Sequence, residues 1–339
     1  MSSKRILLFL FFFLFFFLSC KDNRWEYNEI NIVNKNKPIF IDFDYALFNF
    51  SNTNLKKIIS INYNENEILG YLFFQCLGLG NPNDSMFYKS VNLFRNDAYI
   101  KSLENEIDIS LRGKISVFEK NLNFKFQKLG YFIKNKPLPK RIFWLNTLFS
   151  SSVFCSQNEI GVGLERYVGS NKAVIKKLPT DQFFQWMKDG MRKEFLERDV
   201  LVNWIYTHYV DDNEGSLVEK MIQWGKVYYI LNVIDQDLPE YLVLRYQKQK
   251  YDWCLKNEDK IWKYIVSQSL VFSKNERDIS NFINDGPFTP GLPEKGPDRL
   301  GQFIGYKMVM NHMEIHNNKS LDDLLLTSYN TILQEYQID

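Results

Sequence analysis

Residues 6–18 form an unbroken apolar run, and a polar, Asn-rich stretch follows it to residue 37. Residues 38–50, PIFIDFDYALFNF, alternate apolar and polar positions before that period is lost, which predicts a strand leading into a helix. From about 55 to 134 the apolar positions recur mainly at helical spacing, with a break at Gly78-Leu79-Gly80-Asn81-Pro82. Lys136-Pro137-Leu138-Pro139 closes that region, and two strands are expected after it, at 141–149 and 153–168. Beyond Leu178-Pro179 the pattern is helical almost to the end. Val200, Leu201, Trp204, Ile205, His208 and Tyr209 lie there on one stripe. Further helices are expected at 216–232, 244–270, 274–284, 297–316 and 321–336, the last opened by a Ser320/Asp323 capping box. Strands in the middle and helices around them make an α+β fold, predominantly helical, with a small central sheet.

The apolar run has 13 residues and follows Lys4 and Arg5. As a helix it spans roughly 20 Å, short of the roughly 30 Å hydrocarbon core, so a signal-peptide core fits better than a permanent span. It ends at Leu18-Ser19-Cys20, which resembles the bacterial lipobox, with Phe17 where that motif prefers an aliphatic residue. The expectation is a lipoprotein signal peptide at 1–19, lipid such as palmitate on Cys20, and a tether at 20–37. The alternatives are an uncleaved anchor or an ordinary signal peptide with an incidental cysteine. Processing at Cys20 would leave the body in the cell envelope facing the periplasm, on either the inner or the outer membrane. Residues 38–339 read as a single domain, helical at 38–135 and with a second part at 136–339.

Composition limits the partners. The chain carries 42 Lys+Arg against 40 Asp+Glu, and loss of Lys4 and Arg5 with the leader makes the remainder net neutral. Neither nucleic acid nor charge-driven attraction to lipid headgroups is expected of such a body. Aromatic content is high at 16%, and the frequent Asn, Lys, Ile and Phe match AT-rich codon usage. The four cysteines are too scattered for a disulfide framework, and Cys76, Cys155 and Cys254 sit in apolar surroundings that suit core residues. With only three histidines, His208, His312 and His316, mechanisms needing several imidazoles are nearly excluded.

The motifs that carry chemistry elsewhere are incomplete in this chain. HMEIH at 312–316 sets two histidines four apart on one helix face, yet Glu314 is misplaced for the HExxH arrangement, and His312 continues the stripe of Leu300, Ile304 and Met308. Asp42 and Asp44 are expected to share a strand face roughly 7 Å apart, a separation known from glycoside hydrolysis but from separate elements there. Glu104, Glu106 and Asp108 read as a solvated face. Gly161-Val162-Gly163 lacks the third glycine of a dinucleotide fingerprint, because Arg166 stands there. Ser150-Ser151-Ser152 has no histidine nearby, and the lysines around Tyr246 and Tyr251 belong to an amphipathic helix.

Longer segments are more specific. LPTDQFFQWM (178–187), MIQWGKVYYILNVIDQDLP (221–239), NEDKIWKYIVSQSLVFS (257–273) and PFTPGLPEKGPDRLGQFIGYKMV (287–309), with the lipobox, resemble the GldB family of gliding-motility lipoproteins of the Bacteroidota. The resemblance covers 38–336 and implies a lipoprotein of a gliding machinery linked with type IX secretion. It also implies a distant likeness to zincin-type metallopeptidases, hence a zincin-like scaffold with C-terminal helices. Mapped onto that pattern, Trp204 to His208 replace the HExxH helix, and Trp224-Gly225 replace the Glu-Gly pair. Trp204, His208, Trp224 and Gly225 are thus degenerate zincin positions, and His208 is the single ligand left. Register across 211–215 leaves Glu214 and Glu219 open as a further ligand.

The resulting expectation is a non-catalytic envelope lipoprotein that assembles or stabilises a gliding or secretion complex, with no catalytic residue, metal or cofactor. The alternatives are a zinc peptidase using His208 with His312 or His316, and a periplasmic module that binds peptide or lipid. The candidate interaction loop is 287–301, with Pro287, Phe288, Pro290, Gly291, Pro297, Arg299 and Gly301, stiffened by its prolines. Arg299, expected just inside the following helix, would bind a partner carboxylate or else pair internally.

Overall fold

The computed structural model describes residues 23–27, 37–63, 67–211 and 215–336. The apolar leader, Cys20 and most of the tether lie outside these residues. Residues 1–35 and 36–339 form two compact units. Within the first, Asn23–Trp25 makes a 3-10 turn in which the Arg24 guanidinium lies 4.7 Å from the Trp25 ring centre.

The second unit opens with β1 (Ile39–Asp42). The strand ends where Asp42 accepts a hydrogen bond from the Tyr45 amide at 3.0 Å, which caps α1 (Phe43–Asn49). Five helices follow: α2 (Asn52–Asn62), α3 (Glu67–Tyr71), α4 (Phe87–Asn96), α5 (Ala98–Ser110) and α6 (Ile115–Phe132). Ser51 caps α2 and Asp97 caps α5. Three further strands then complete the sheet: β2 (Arg141–Leu145), β3 (Val153–Cys155) and β4 (Glu159–Gly163). The order is β1-β2-β4-β3, parallel except for the antiparallel β3–β4 hairpin.

Two of the expected strand boundaries are corrected. The second strand is a hairpin, because Ser156-Gln157-Asn158 turns the chain and the Ser156 amide bonds the Glu159 carbonyl at 2.9 Å. The first ends at Leu145, since Leu148 and Phe149 adopt left-handed backbone angles, φ 50° and 63°. Gly161 and Gly163 serve packing. A Cβ at Gly161 would stand 2.4 Å from the Phe154 ring, and one at Gly163 would stand 2.3 Å from the Ser151 carbonyl oxygen.

Both faces of the sheet are covered. Phe143 and Leu145 join Phe43, Phe73, Phe87 and Val91 in the core of the N-terminal helices. On the other face Trp144, fully buried, donates to Glu119 of α6 at 3.0 Å. Burial of a side chain of that size contributes about 2–3 kcal/mol.

Asp42 and Asp44 straddle the strand-to-helix junction and share no strand face. Both accept from Arg112, at 2.8 and 2.7 Å, and Arg112 also bonds Glu104 and Asp108 at 2.7 Å each. Residues 104, 108 and 112 follow at helical spacing, so the guanidinium folds back over the face that carries both acids. The expectation of a solvated face at 104–108 is therefore overturned: Glu104 is 7% exposed, and Glu106 pairs with Lys172 at 2.7 Å.

The remaining helices are α7 (Ala173–Lys176), α8 (Gln185–Asp189), α9 (Leu196–Tyr209), α10 (Leu217–Ile234), α11 (Glu240–Val243) and α12 (Lys248–Ser267). They continue as α13 (Glu276–Ile283), α14 (Leu300–Ile315), α15 (Leu321–Leu326) and α16 (Tyr329–Glu335). Ser320 and Asp323 form the expected capping box, each side chain bonding the other's amide at 3.1 and 2.9 Å. Gly225 and Gly305 let α10 and α14 touch through their backbones: a Cβ on Gly225 would stand 2.1 Å from the Gly305 carbonyl oxygen. The fold is a predominantly helical α+β arrangement around a four-stranded mixed sheet. Among the described residues, no helix is long and apolar enough to cross a membrane.

Candidate functional site

A cavity of about 470 Å³ opens where α9, α10, the end of α13 and the start of α14 meet the 3-10 turn at Leu164–Tyr167. Four of its charged lining residues are arginines, Arg166, Arg198, Arg245 and Arg299, and two are acids, Asp199 and Asp285. Trp186 of α8 and Trp224 of α10 contribute apolar surface, together with Met187 and Met191.

Asp199 organises one side. It accepts from Arg198 at 2.8 Å and from the Tyr167 hydroxyl at 3.0 Å, and Arg245 Nε lies 3.3 Å away. Arg198 is fixed further by its Nε bond to the Val243 carbonyl at 3.0 Å, and Arg245 by a bond to the Gly190 carbonyl at 2.8 Å. On the other side Arg299 lies 3.1 Å from Asp285 and 3.0 Å from Asp298. Burial opposes the charge of Arg299, but those two carboxylates outweigh it and raise its pKa well above the ordinary value. Asp285 is held low, chiefly by the Arg299 charge beside it.

Arg166 differs from the other three. It donates to the Phe149 carbonyl, and among the described residues it forms no ion pair. Burial lowers its pKa, opposed by the Glu165 charge. Three residues around the cavity also hold left-handed backbone angles: Phe149 at φ 63°, Arg245 at 59° and Arg299 at 52°. Such conformations cost energy in residues that carry a Cβ and persist where surrounding contacts enforce them.

The lining offers guanidinium donors and indole faces for recognition. Its two carboxylates are both engaged by arginines, so neither stands free as a general base.

Trp224 lines this cavity and stacks on Tyr206 at 4.4 Å, while Gly225 lies in the α10–α14 crossing. Trp204 and His208 are not among the lining residues. The indole of Trp204 donates to the Pro137 carbonyl at 3.0 Å, and His208 Nε2 meets the Ser156 carbonyl at 3.0 Å. Helix α9 presents Arg198, Asp199, Val202 and Asn203 to the cavity in their place. Glu219 bonds the Ser216 amide at 2.7 Å as an N-terminal cap, and Glu214 lies outside the described residues.

The loop at 287–301 divides in two. Pro287, Pro290 and Gly291 are exposed and Phe288 is half-buried, whereas Pro297, Arg299 and Gly301 are buried. Arg299 precedes α14 as its N-cap, a correction to the expected start at 297, because Thr289 Oγ1 takes the Leu300 amide at 3.2 Å. Its carboxylate partners are internal.

His312 and His316 meet Glu335 of α16 and not His208. Their imidazoles lie 2.5 and 2.8 Å from its two oxygens, and the three ligand atoms fall within 4.8 Å of one another. Lys319 Nζ stands 3.2 Å from His312 Nε2. The arrangement is a carboxylate bridging two rings, and it ties the end of α14 to α16.

Sequence reasoning missed Arg198, Asp199, Arg245, Asp285 and Trp186. A usable signal was present: only 11 of the 42 basic residues are arginine. In a lysine-rich chain, the few arginines are candidates for places that use the planar fork, and four of the eleven line this cavity.

A family model described as gliding motility protein GldB matches residues 26–337. No curated protein and no solved structure matches the chain.

Proposed function

Because the chain belongs to the gliding motility protein GldB family, we propose that it is a non-catalytic cell-envelope lipoprotein that assembles or stabilises the gliding or type IX secretion machinery. Lipid on Cys20 holds it to a membrane, with the body facing the periplasm. The observation that carries the non-catalytic reading is the cavity itself. Both of its lining acids are bound by arginines, and of the expected zincin positions Trp204 and His208 meet backbone carbonyls, Gly225 lies against the α14 backbone, and Trp224 offers only an indole to the cavity.

Crosslinking of envelope fractions followed by identification of the captured proteins tests the assembly role. Gliding or secretion components are expected, and their absence against a tagged control would remove it. The peptidase reading has one feature in its favour, the His312–His316–Glu335 triangle. Stoichiometric zinc in the purified protein, lost in His316→Ala together with peptide hydrolysis, would put a zinc peptidase in place of the non-catalytic assembly protein.

A further inference from the structure

The lining of the cavity has a basic surplus, Arg166, Arg198, Arg245 and Arg299 against Asp199 and Asp285. The adjoining acids leave part of it unmet. Asp298 is spent on Arg299, and Glu165 accepts from the Thr147 amide at 3.1 Å, the Thr147 hydroxyl at 2.5 Å and the Phe149 amide at 2.8 Å. What remains can be located. Nε of Arg166 and Nη2 of Arg198 are buried without a hydrogen-bond acceptor, and the bonded partner of Arg166 is a neutral carbonyl. Buried guanidinium donors of this kind are met by a carboxylate or a phosphate, whose oxygens match the fork.

The rest of the lining suits an apolar body. Trp186, Trp224, Met187 and Met191 supply indole and thioether surface, and about 470 Å³ lies in the range of small-molecule sites. We infer that the cavity binds an organic anion, a carboxylate or phosphate carried on an apolar or aromatic body, with Arg166 and Arg198 holding the head and Trp186 and Trp224 the body. This rests on the reading of the cavity as a recognition site and not on the chain's place in gliding. Failure to crosslink envelope partners therefore leaves it standing.

Calorimetry on the detergent-solubilised full chain tests it with two probe pairs: 4-phenylbutanoate against 4-phenylbutanamide, and phenyl phosphate against phenol. The acid of at least one pair is expected to bind about tenfold or more tighter than its neutral counterpart. Raised salt is expected to weaken the acid alone, and the pair with the larger gap identifies the head group. Arg166→Gln is expected to reduce acid binding about tenfold with an unchanged near-ultraviolet circular dichroism spectrum. If that variant does not fold, Arg166→Lys keeps the charge without the fork and is expected to bind the acid more weakly than wild type. Equal affinity for acid and neutral probe in both pairs, no binding of either acid, or unchanged acid binding in a folded Arg166 variant would overturn the inference. Hydrolysis of phenyl phosphate in the cavity would support the anion site while contradicting the non-catalytic reading.

Discussion

Arg112 holds four carboxylates, from Asp42, Asp44, Glu104 and Asp108. They cannot all be charged cheaply around one guanidinium in a buried place. Burial, and then the Asp44 charge, pushes Glu104 up to about 9, so it keeps its proton at neutral pH. A carboxyl whose folded pKa lies above its unfolded value gives stability that is whole below the unfolded pKa and is lost as pH rises through the folded one. Melting temperature measured from pH 5 to 9 is therefore expected to fall more in the wild type than in Glu104→Gln, which keeps the acceptor without the titration. Arg112→Ala, which strands buried acids, is expected to cost about 3–5 kcal/mol in denaturant unfolding. His312 gives the opposite pH slope. Burial holds its pKa below the ordinary histidine value, and Glu335 is also held low, its own burial outweighed by the two imidazoles. Both groups destabilise the fold as pH falls through their unfolded pKa values, His312 first, so His312→Gln, which removes the buried imidazole's titration, is expected to flatten the melting profile between pH 7 and 5. Little at this scale was legible in the sequence. Asp42 and Asp44 showed as a pair, but Arg112 is 68 residues beyond Asp44, and no local period points to it. Arg166, Arg198, Arg245 and Arg299 are likewise scattered along the chain and meet only through the fold.

The α10–α14 pair depends on two glycines. A Cβ at Gly305 would stand 1.7 Å from the Met221 carbonyl oxygen, with backbone on both sides and no flexible side chain to give way. Gly225→Ala and Gly305→Ala are each expected to destabilise by about 1–3 kcal/mol or more, read as a lower denaturant midpoint. A glycine on the exposed turn, such as Gly113, has open space around it and is the control. Existence and type of the long helices were legible because apolar spacing reports a buried stripe. α10 and α14 were legible as helices but not as a pair: both are apolar on nearly every side, so their patterns name no face. The β3–β4 hairpin was read as one strand because its turn is only three polar residues between two apolar segments. Gly225 lies against the Gly305 backbone, a close helix approach that the sequence pattern did not disclose.

At the scale of the whole molecule, the sheet separates a helical N-terminal core from the C-terminal helices that build the cavity. The α+β class was legible because strand-like segments are few and central. The cavity was not, since its lining comes from residues 152–302 and belongs to no single motif. On the proposed processing ahead of Cys20 the body would be net neutral, which leaves lipid on that cysteine as the expected source of membrane attachment. Cys20→Ala is expected to lose palmitate label and to move the protein from the membrane pellet to the soluble fraction, and label that persists would contradict the lipid attachment. The order of elements also has a mechanical consequence for the start of the second unit. A pull delivered at Ile39 acts on an edge strand paired with β2 alone over four residues. The next residues to feel it are Asp42 and Asp44, both held by Arg112. That guanidinium works as a rivet, stopping a pull on the leading chain from peeling β1 and α1 away from the protein behind them.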